Sequence, residues 1–283
     1  MGNHVATHAD EWPSLVERPA RGAGDWPAGV RAVLVHGAMD RGAGMAAVAR
    51  ELRDAPTLRY DRRGYGRAVR LGSGDLVRHV DDLLAIVGTG PVVLFGHSFG
   101  GLVVLAAAAT GRLDVRGVAT WEVPTPWIDG WTGWELDDPG DVEDRAGAIA
   151  EAFMRRVVGT ARYDALPEKT RAARRREGPA LIADMDPLLT AGAPFDPSRV
   201  TAPCEFGAGD VSPIAYTIGA KWLAERVPDG GARIIGGARH GAPMSRAADV
   251  ATLIREVATA GDASASSRRS AVDETGGHDA IVV

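Results

Sequence analysis

Gly96-His97-Ser98-Phe99-Gly100 places a serine between two glycines, at the end of the apolar run 91–95 and at the start of the helix-forming run 100–110. A serine on a tight turn between a strand and a helix projects its hydroxyl alone, and the flanking glycines relieve the crowding that such a turn creates. A hydroxyl is a weak nucleophile at neutral pH, so a nearby imidazole must take its proton as it attacks. Read as nucleophile, acid and histidine in chain order, the sequence leaves His240 and His278 downstream of Ser98. His240 sits in the glycine-rich loop Gly236-Gly237-Ala238-Arg239-His240-Gly241 after an apolar strand-like run, whereas His278 lies in a polar tail. His240 is therefore the expected base. A carboxylate must orient the ring and stabilise its cation. Asp210 is favoured because it follows the strand-like run 204–207 and precedes Ser212-Pro213, which opens a helix; Glu122, at the end of the preceding strand, is the alternative.

Attack on a carbonyl makes an oxyanion, which needs two backbone N–H donors aimed in advance. Phe99, directly after the nucleophile, is expected to give one, and Ala38 the other, with Met39 as the alternative in the loop after residues 32–35. His36 precedes Ser98 in the chain and is set aside as a base. Together with Met39 and Glu122 it is placed among the residues bordering the substrate. Trp127, Trp131 and Trp134 fall in one short segment and are expected either to line an acyl or ring pocket or to pack a cap onto the core. The arginine-rich run 171–176 reads as a solvated helix face.

The elements that must position these residues are legible as a periodic pattern. Buried strands are expected over 31–36, 57–60, 91–97, 115–121, 203–207 and 232–235, with helices over 45–53, 75–87, 100–110, 214–227 and 247–259. Ser73 and Ser245 are the expected N-caps of two of these helices. Alternating strands and helices predict an α/β fold with a mostly parallel sheet. From 123 to 200 the strand pattern stops for longer than an ordinary connection, and helical stretches at 142–158 and 167–189 predict an inserted helical cap. The expected organisation is a core of 1–122 and 201–260, a cap of 123–200 and a disordered tail of 261–283, where composition turns polar.

VLVHGAMD, YDRRGYGRA, FGHSFGGLV, GAGD and ARHGAPM, in this order from Val33 to Met244, resemble successive landmarks of the α/β-hydrolase superfamily. The resemblance implies an eight-stranded sheet flanked by helices, a catalytic site under a cap, and a structural role for the glycine-rich turn YDRRGYGRA. Ala38-Met39 departs from the additional glycines of many lipases. Ser98 in the elbow disfavours members that attack with an aspartate or a cysteine. The expected activity is cleavage of an ester, thioester or lactone of a small molecule through an acyl-enzyme, with no metal and no organic cofactor. Carbon–carbon bond hydrolysis or cofactor-free perhydrolysis on the same triad, and a non-catalytic binding module, are the alternatives.

Composition narrows the partners. Charged residues make up 24% of the 283 residues and hydrophobic ones 45%, as in soluble globular chains. A net charge of −5 with dispersed arginines offers no footprint for nucleic acid. The start of the chain lacks the basic and apolar regions of a leader, and no apolar run is long enough to span a bilayer. The single Cys204 precludes an internal disulfide. A cytoplasmic enzyme with a small-molecule substrate is expected.

Overall fold

The structure, a computed structural model, describes residues 12–131, 136, 140, 142–190 and 192–276, with side chains described as far as 267 and that of Thr190 excepted. Seven strands form one sheet: β1 (Val16–Arg18), β2 (Arg31–Val35), β3 (Thr57–Arg59), β4 (Pro91–His97), β5 (Asp114–Trp121), β6 (Cys204–Gly209) and β7 (Gly230–Ile235), in the order β1-β3-β2-β4-β5-β6-β7. β1 runs antiparallel on the edge and the other six are parallel. Among the described residues the sheet thus has one strand fewer than the eight expected.

Strand periodicity divides the core. Val33 and Val35 of β2, with Val92 and Leu94 of β4, point into one apolar cluster; Ala32 and Leu34, with Val93 and Phe95, point into another on the opposite face. The first cluster is closed by α2 (Leu76–Val87), α3 (Phe99–Ala109) and α8 (Ile214–Arg226), the second by α1 (Ala46–Glu51) and α10 (Ala247–Gly276). Because both faces are covered, the central strands are continuous runs of Val, Leu and Ala rather than alternating with polar residues.

Two expected caps fall elsewhere. The N-cap of α2 is Asp75, whose carboxylate accepts the Arg78 N–H, and not Ser73. Ser245 closes the short helix α9 (Ala242–Ser245), its hydroxyl donating to the Gly241 carbonyl, instead of opening α10. The helix α10 also continues beyond residue 261, where a disordered tail was expected. Ala265 is buried, so the helix packs on the body of the protein as far as that residue despite its polar composition. Residues 277–283, with His278, lie outside the described residues.

Between β5 and β6 the chain forms four helices: α4 (Arg145–Val158), α5 (Thr160–Asp164), α6 (Glu168–Arg175) and α7 (Gly178–Thr190). Ile149, Phe153, Met154, Leu181 and Met185 from these helices join Met39 and Tyr65 in a third cluster. Two buried carboxylates anchor the layer. Glu177 accepts from Arg41, Arg174 and the Gly66 N–H, and Asp184 meets Arg62.

Candidate active site

The chain crosses from β4 to α3 through Ser98, whose φ of 54° lies in the left-handed region that non-glycine residues seldom enter. Its N–H donates to the Trp121 carbonyl at 2.8 Å, and its own carbonyl accepts the Gly101 N–H, also at 2.8 Å, so the turn is held from both sides. Glycine at 100 is obligatory: a Cβ there would stand 2.4 Å from the Val35 carbonyl oxygen and 2.5 Å from that of His36. That close approach brings the loop after β2 against the elbow. Among the described residues only Met39, Ser98 and Glu122 combine a side chain with positive φ, at 55°, 54° and 49°. Ser98 and Glu122 directly follow the C-terminal ends of the neighbouring parallel strands β4 and β5, and Met39 lies in the loop after β2.

Glu122 follows β5, is buried, and places Oε2 2.7 Å from His240 Nδ1. Its Oε1 accepts the Gly209 N–H at 2.9 Å, which fixes the carboxylate across the end of β6. Asp210, favoured from the sequence, does not meet the imidazole. It is exposed, and its Oδ1 accepts the Gly237 N–H at 2.7 Å, bracing the loop that carries His240. The reason is where the loop returns. Trp121 Nε1 donates to the Arg239 carbonyl at 3.2 Å and His97 Nε2 to the His240 carbonyl at 3.0 Å, drawing the ring over the end of β5. From there the longer glutamate side chain reaches Nδ1.

His97 was not singled out in the sequence. Its ring lies 4.6 Å from that of His240, its Nδ1 is buried with no hydrogen-bond partner, and burial, then His240, hold its pKa well below the usual histidine range. It is thus the neutral tautomer that donates through Nε2. Tyr216 of α8 was missed as well; its ring stacks on His240 at 5.1 Å and 27°. Nothing in the residue spacing of α8, whose apolar side chains are spread around the helix, marks that residue.

His36 does not border a substrate space. It is fully buried, its Nε2 accepts the Arg62 N–H at 2.7 Å and its Nδ1 lies 2.7 Å from the Gly37 carbonyl, so both ring nitrogens are occupied within the protein. Burial, then Arg62, keep it neutral. Met39 is buried in the cluster shared with helices α4, α5 and α7, and its carbonyl accepts from Arg174 at 2.9 Å. Ala38 packs against both this cluster and the sheet core, at the junction of the two layers. Phe99 is buried beneath the Arg62 guanidinium, 4.7 Å from its ring.

Trp127 packs edge-on against Trp222 at 6.2 Å, and Trp131 against Tyr216 at 5.5 Å. Both lean on the sheet core, and Trp131 is one ring removed from His240. Trp134 lies outside the described residues. A cleft of about 290 Å³ between Arg116, Thr201 and Asp229 sits at the opposite, N-terminal end of β5 and pairs no nucleophile with a base. Among the described residues no group of His, Cys, Asp and Glu side chains converges as a metal site, and no helix is long and apolar enough to cross a membrane.

A parallel sheet under helices, with an elbow serine at the C-terminal end of β4 and a histidine–carboxylate pair on the adjoining loops, defines an enzyme of the α/β-hydrolase type. Residues 32–253 match the alpha/beta hydrolase family, and the chain belongs to that family. A search of curated protein sequences found no significant match. Among solved structures, the fold is similar to an alpha/beta hydrolase from Sphaerobacter thermophilus at 23% identity and TM-score 0.54, covering 84% of this chain and 95% of that one. It is similar also to a thermophilic esterase from Thermogutta terrifontis, at 22% identity and TM-score 0.56 over 86% and 92% of the two chains. The type II thioesterase BorB from the borrelidin biosynthetic cluster matches at 18% identity and TM-score 0.61 over 87% and 97%.

Proposed function

We propose that this chain is a serine hydrolase that cleaves an ester, thioester or lactone of a small molecule through an acyl-enzyme. The observation that carries the reading is the 2.7 Å contact between His240 Nδ1 and Glu122 Oε2, on a histidine loop tied to the elbow residue His97 beside the strained Ser98. With Nδ1–H committed to Glu122, the ring takes the Ser98 proton at Nε2 as the hydroxyl oxygen bonds the substrate carbonyl carbon. The tetrahedral oxyanion is received by the N–H groups of Phe99 and Ala38. Collapse of this intermediate expels the alcohol, thiol or ring oxygen, which takes its proton back from His240. Water then repeats the cycle on the acyl-serine. Glu122 replaces Asp210 as the carboxylate of this reading.

We take 123–200 as the cap that closes over the acyl group, with Trp131 nearest the reacting end, and the esterase and thioesterase similarities support this substrate class. A cytoplasmic setting fits the lone cysteine, Cys204, a buried thiol whose pKa burial pushes far up. A fluorophosphonate probe is expected to label the wild-type protein and not Ser98→Ala, and intact mass after exposure to mixed esters and thioesters is expected to show an acyl adduct. Absence of labelling in folded wild-type protein would overturn the enzyme reading.

A further inference from the structure

Arg62, in the loop after β3, and Asp184, in α7, form an ion pair with both side chains fully buried, Nη1 to Oδ1 at 3.2 Å and Nη2 to Oδ2 at 2.7 Å. Taking two charges out of water is costly, and their attraction repays it only when further polar contacts complete the geometry. Here they do. Tyr65 donates its hydroxyl to Asp184 Oδ2 at 2.7 Å, and His79 Nε2 lies 2.9 Å from Oδ1. Burial pushes the Asp184 carboxyl up, but Arg62 and His79 outweigh it and bring the group down to about 2.

Beyond Asp184, His79 and Tyr65, Arg62 also reaches the C-terminal end of the sheet. Its Nε donates to the His36 carbonyl at 3.0 Å, its backbone N–H to His36 Nε2 at 2.7 Å, and its guanidinium lies over the Phe99 ring at 4.7 Å. One side chain therefore touches both segments to which the oxyanion donors are assigned: the loop that begins at His36, and Phe99. We infer that Arg62, aimed by Asp184 of the cap, is a positioning residue that keeps the two halves of the oxyanion hole in register and couples that register to the seating of the cap. A pair that served only to fasten α7 would need no contact with His36 or Phe99.

The inference rests on the serine-hydrolase reading, and the test separates the two. In the full chain, Asp184→Asn removes the charge that aims the guanidinium and keeps the shape. The expected result on a p-nitrophenyl ester is a kcat lower by about 10- to 100-fold, short of the loss of a whole donor, with KM within about threefold. Affinity for a trifluoromethyl ketone, which forms an oxyanion adduct on the serine, is expected to fall by a similar factor. Amide hydrogen exchange over residues 36–40 is expected to quicken while β4 stays protected. Unchanged kcat, inhibitor affinity and exchange over 36–40, with only a lower Tm, would overturn the inference and leave the pair as a cap anchor. If Asp184→Asn does not fold, the double variant Arg62→Met/Asp184→Leu removes both buried charges together, a change that buried pairs tolerate. The same losses are expected there, and wild-type kcat and exchange over 36–40 would overturn the inference. A wild-type protein that takes no fluorophosphonate would sink the hydrolase reading instead, and the exchange measurement would still decide the positioning of 36–40.

Discussion

Glu122 holds His240 with one carboxylate oxygen, at 2.7 Å, and the end of β6 with the other, at 2.9 Å from the Gly209 nitrogen. A glutamine there would keep the Gly209 contact yet offer the imidazole the wrong partner, favouring the tautomer that cannot accept a proton from Ser98. Glu122→Gln is expected to lower kcat on an activated ester by roughly 10³–10⁴-fold. Asp210→Asn keeps an oxygen for the Gly237 N–H and is expected to change kcat by less than about threefold. Steady-state kinetics of the two variants decide the matter, and the opposite ranking would return the role to Asp210.

Three histidines, His36, His79 and His97, are neutral in the fold because burial first, and then Arg62 or His240, lower their pKa values. In the unfolded chain they titrate near about 6.5. Below that pH the unfolded chain takes up protons that the folded one refuses, so stability present above about 6.5 is lost as pH falls toward the folded values. Asp40 acts in the opposite sense. Burial pushes its carboxyl up to about 6, so between about 6 and about 4 the folded state binds a proton that the unfolded one does not. The histidines outnumber it, so the net effect near pH 5.5 is a loss of stability as pH falls. Calorimetry is expected to show Tm lower by roughly 5–10 °C at pH 5.5 than at pH 7.5, and a flat Tm would refute the assignment of three neutral histidines.

The two described tryptophans of the 127–131 segment are expected to behave differently. Trp127 touches Trp222, away from the histidine, and its truncation to Ala is expected to cost about 2–3 kcal/mol of stability without altering the preference between long and short acyl esters. Trp131 rests on Tyr216, which stacks on His240, so Trp131→Ala is expected to lower kcat/KM for bulky acyl groups relative to small ones by about 10-fold or more. Trp131→Phe, which keeps a ring against Tyr216, is expected to restore most of it. Equal ratios in all three variants would make both residues packing elements only.

What the sequence disclosed follows from which interactions are local. The run from β4 through Ser98 into α3 was legible because a buried strand, a glycine-flanked turn and an apolar helix are written in consecutive residues. An expectation for His240 was legible from chain order and its glycine-rich loop. The choice between Glu122 and Asp210 was not, since both follow adjacent parallel strands. It turns on the left-handed φ of 49° at Glu122 and on where Trp121 and His97 hold the returning loop, contacts between residues more than a hundred positions apart. The helical continuation past 261 was hidden for a related reason: its Ala and Ser side chains give little apolar signal, although Ala265 is buried. The Arg62–Asp184 pair joins an ordinary-looking turn to helix α7, and charge pattern alone assigns both residues to the surface.

Gly37 tests the site from the side of the loop. A Cβ at this position would stand 2.9 Å from the Ser98 Cβ and 3.2 Å from the His97 carbonyl oxygen. Neither neighbour yields easily, because Ser98 is already held at a strained φ by hydrogen bonds on both sides and His97 is the last residue of β4. The loop itself must move by a few tenths of an ångström, carrying Ala38 away from the nucleophile. Gly37→Ala is therefore expected to lower kcat by about 100-fold, as when an oxyanion donor is displaced, while Tm falls only modestly. Gly100→Ala makes the contrast. There the added carbon meets backbone of β2 and the following loop at 2.4 and 2.5 Å, nothing flexible gives way, and the protein is expected not to fold. Ester kinetics and thermal unfolding of both variants check the pair of outcomes: wild-type kcat in Gly37→Ala would show that the loop after β2 takes no part in the chemistry of Ser98.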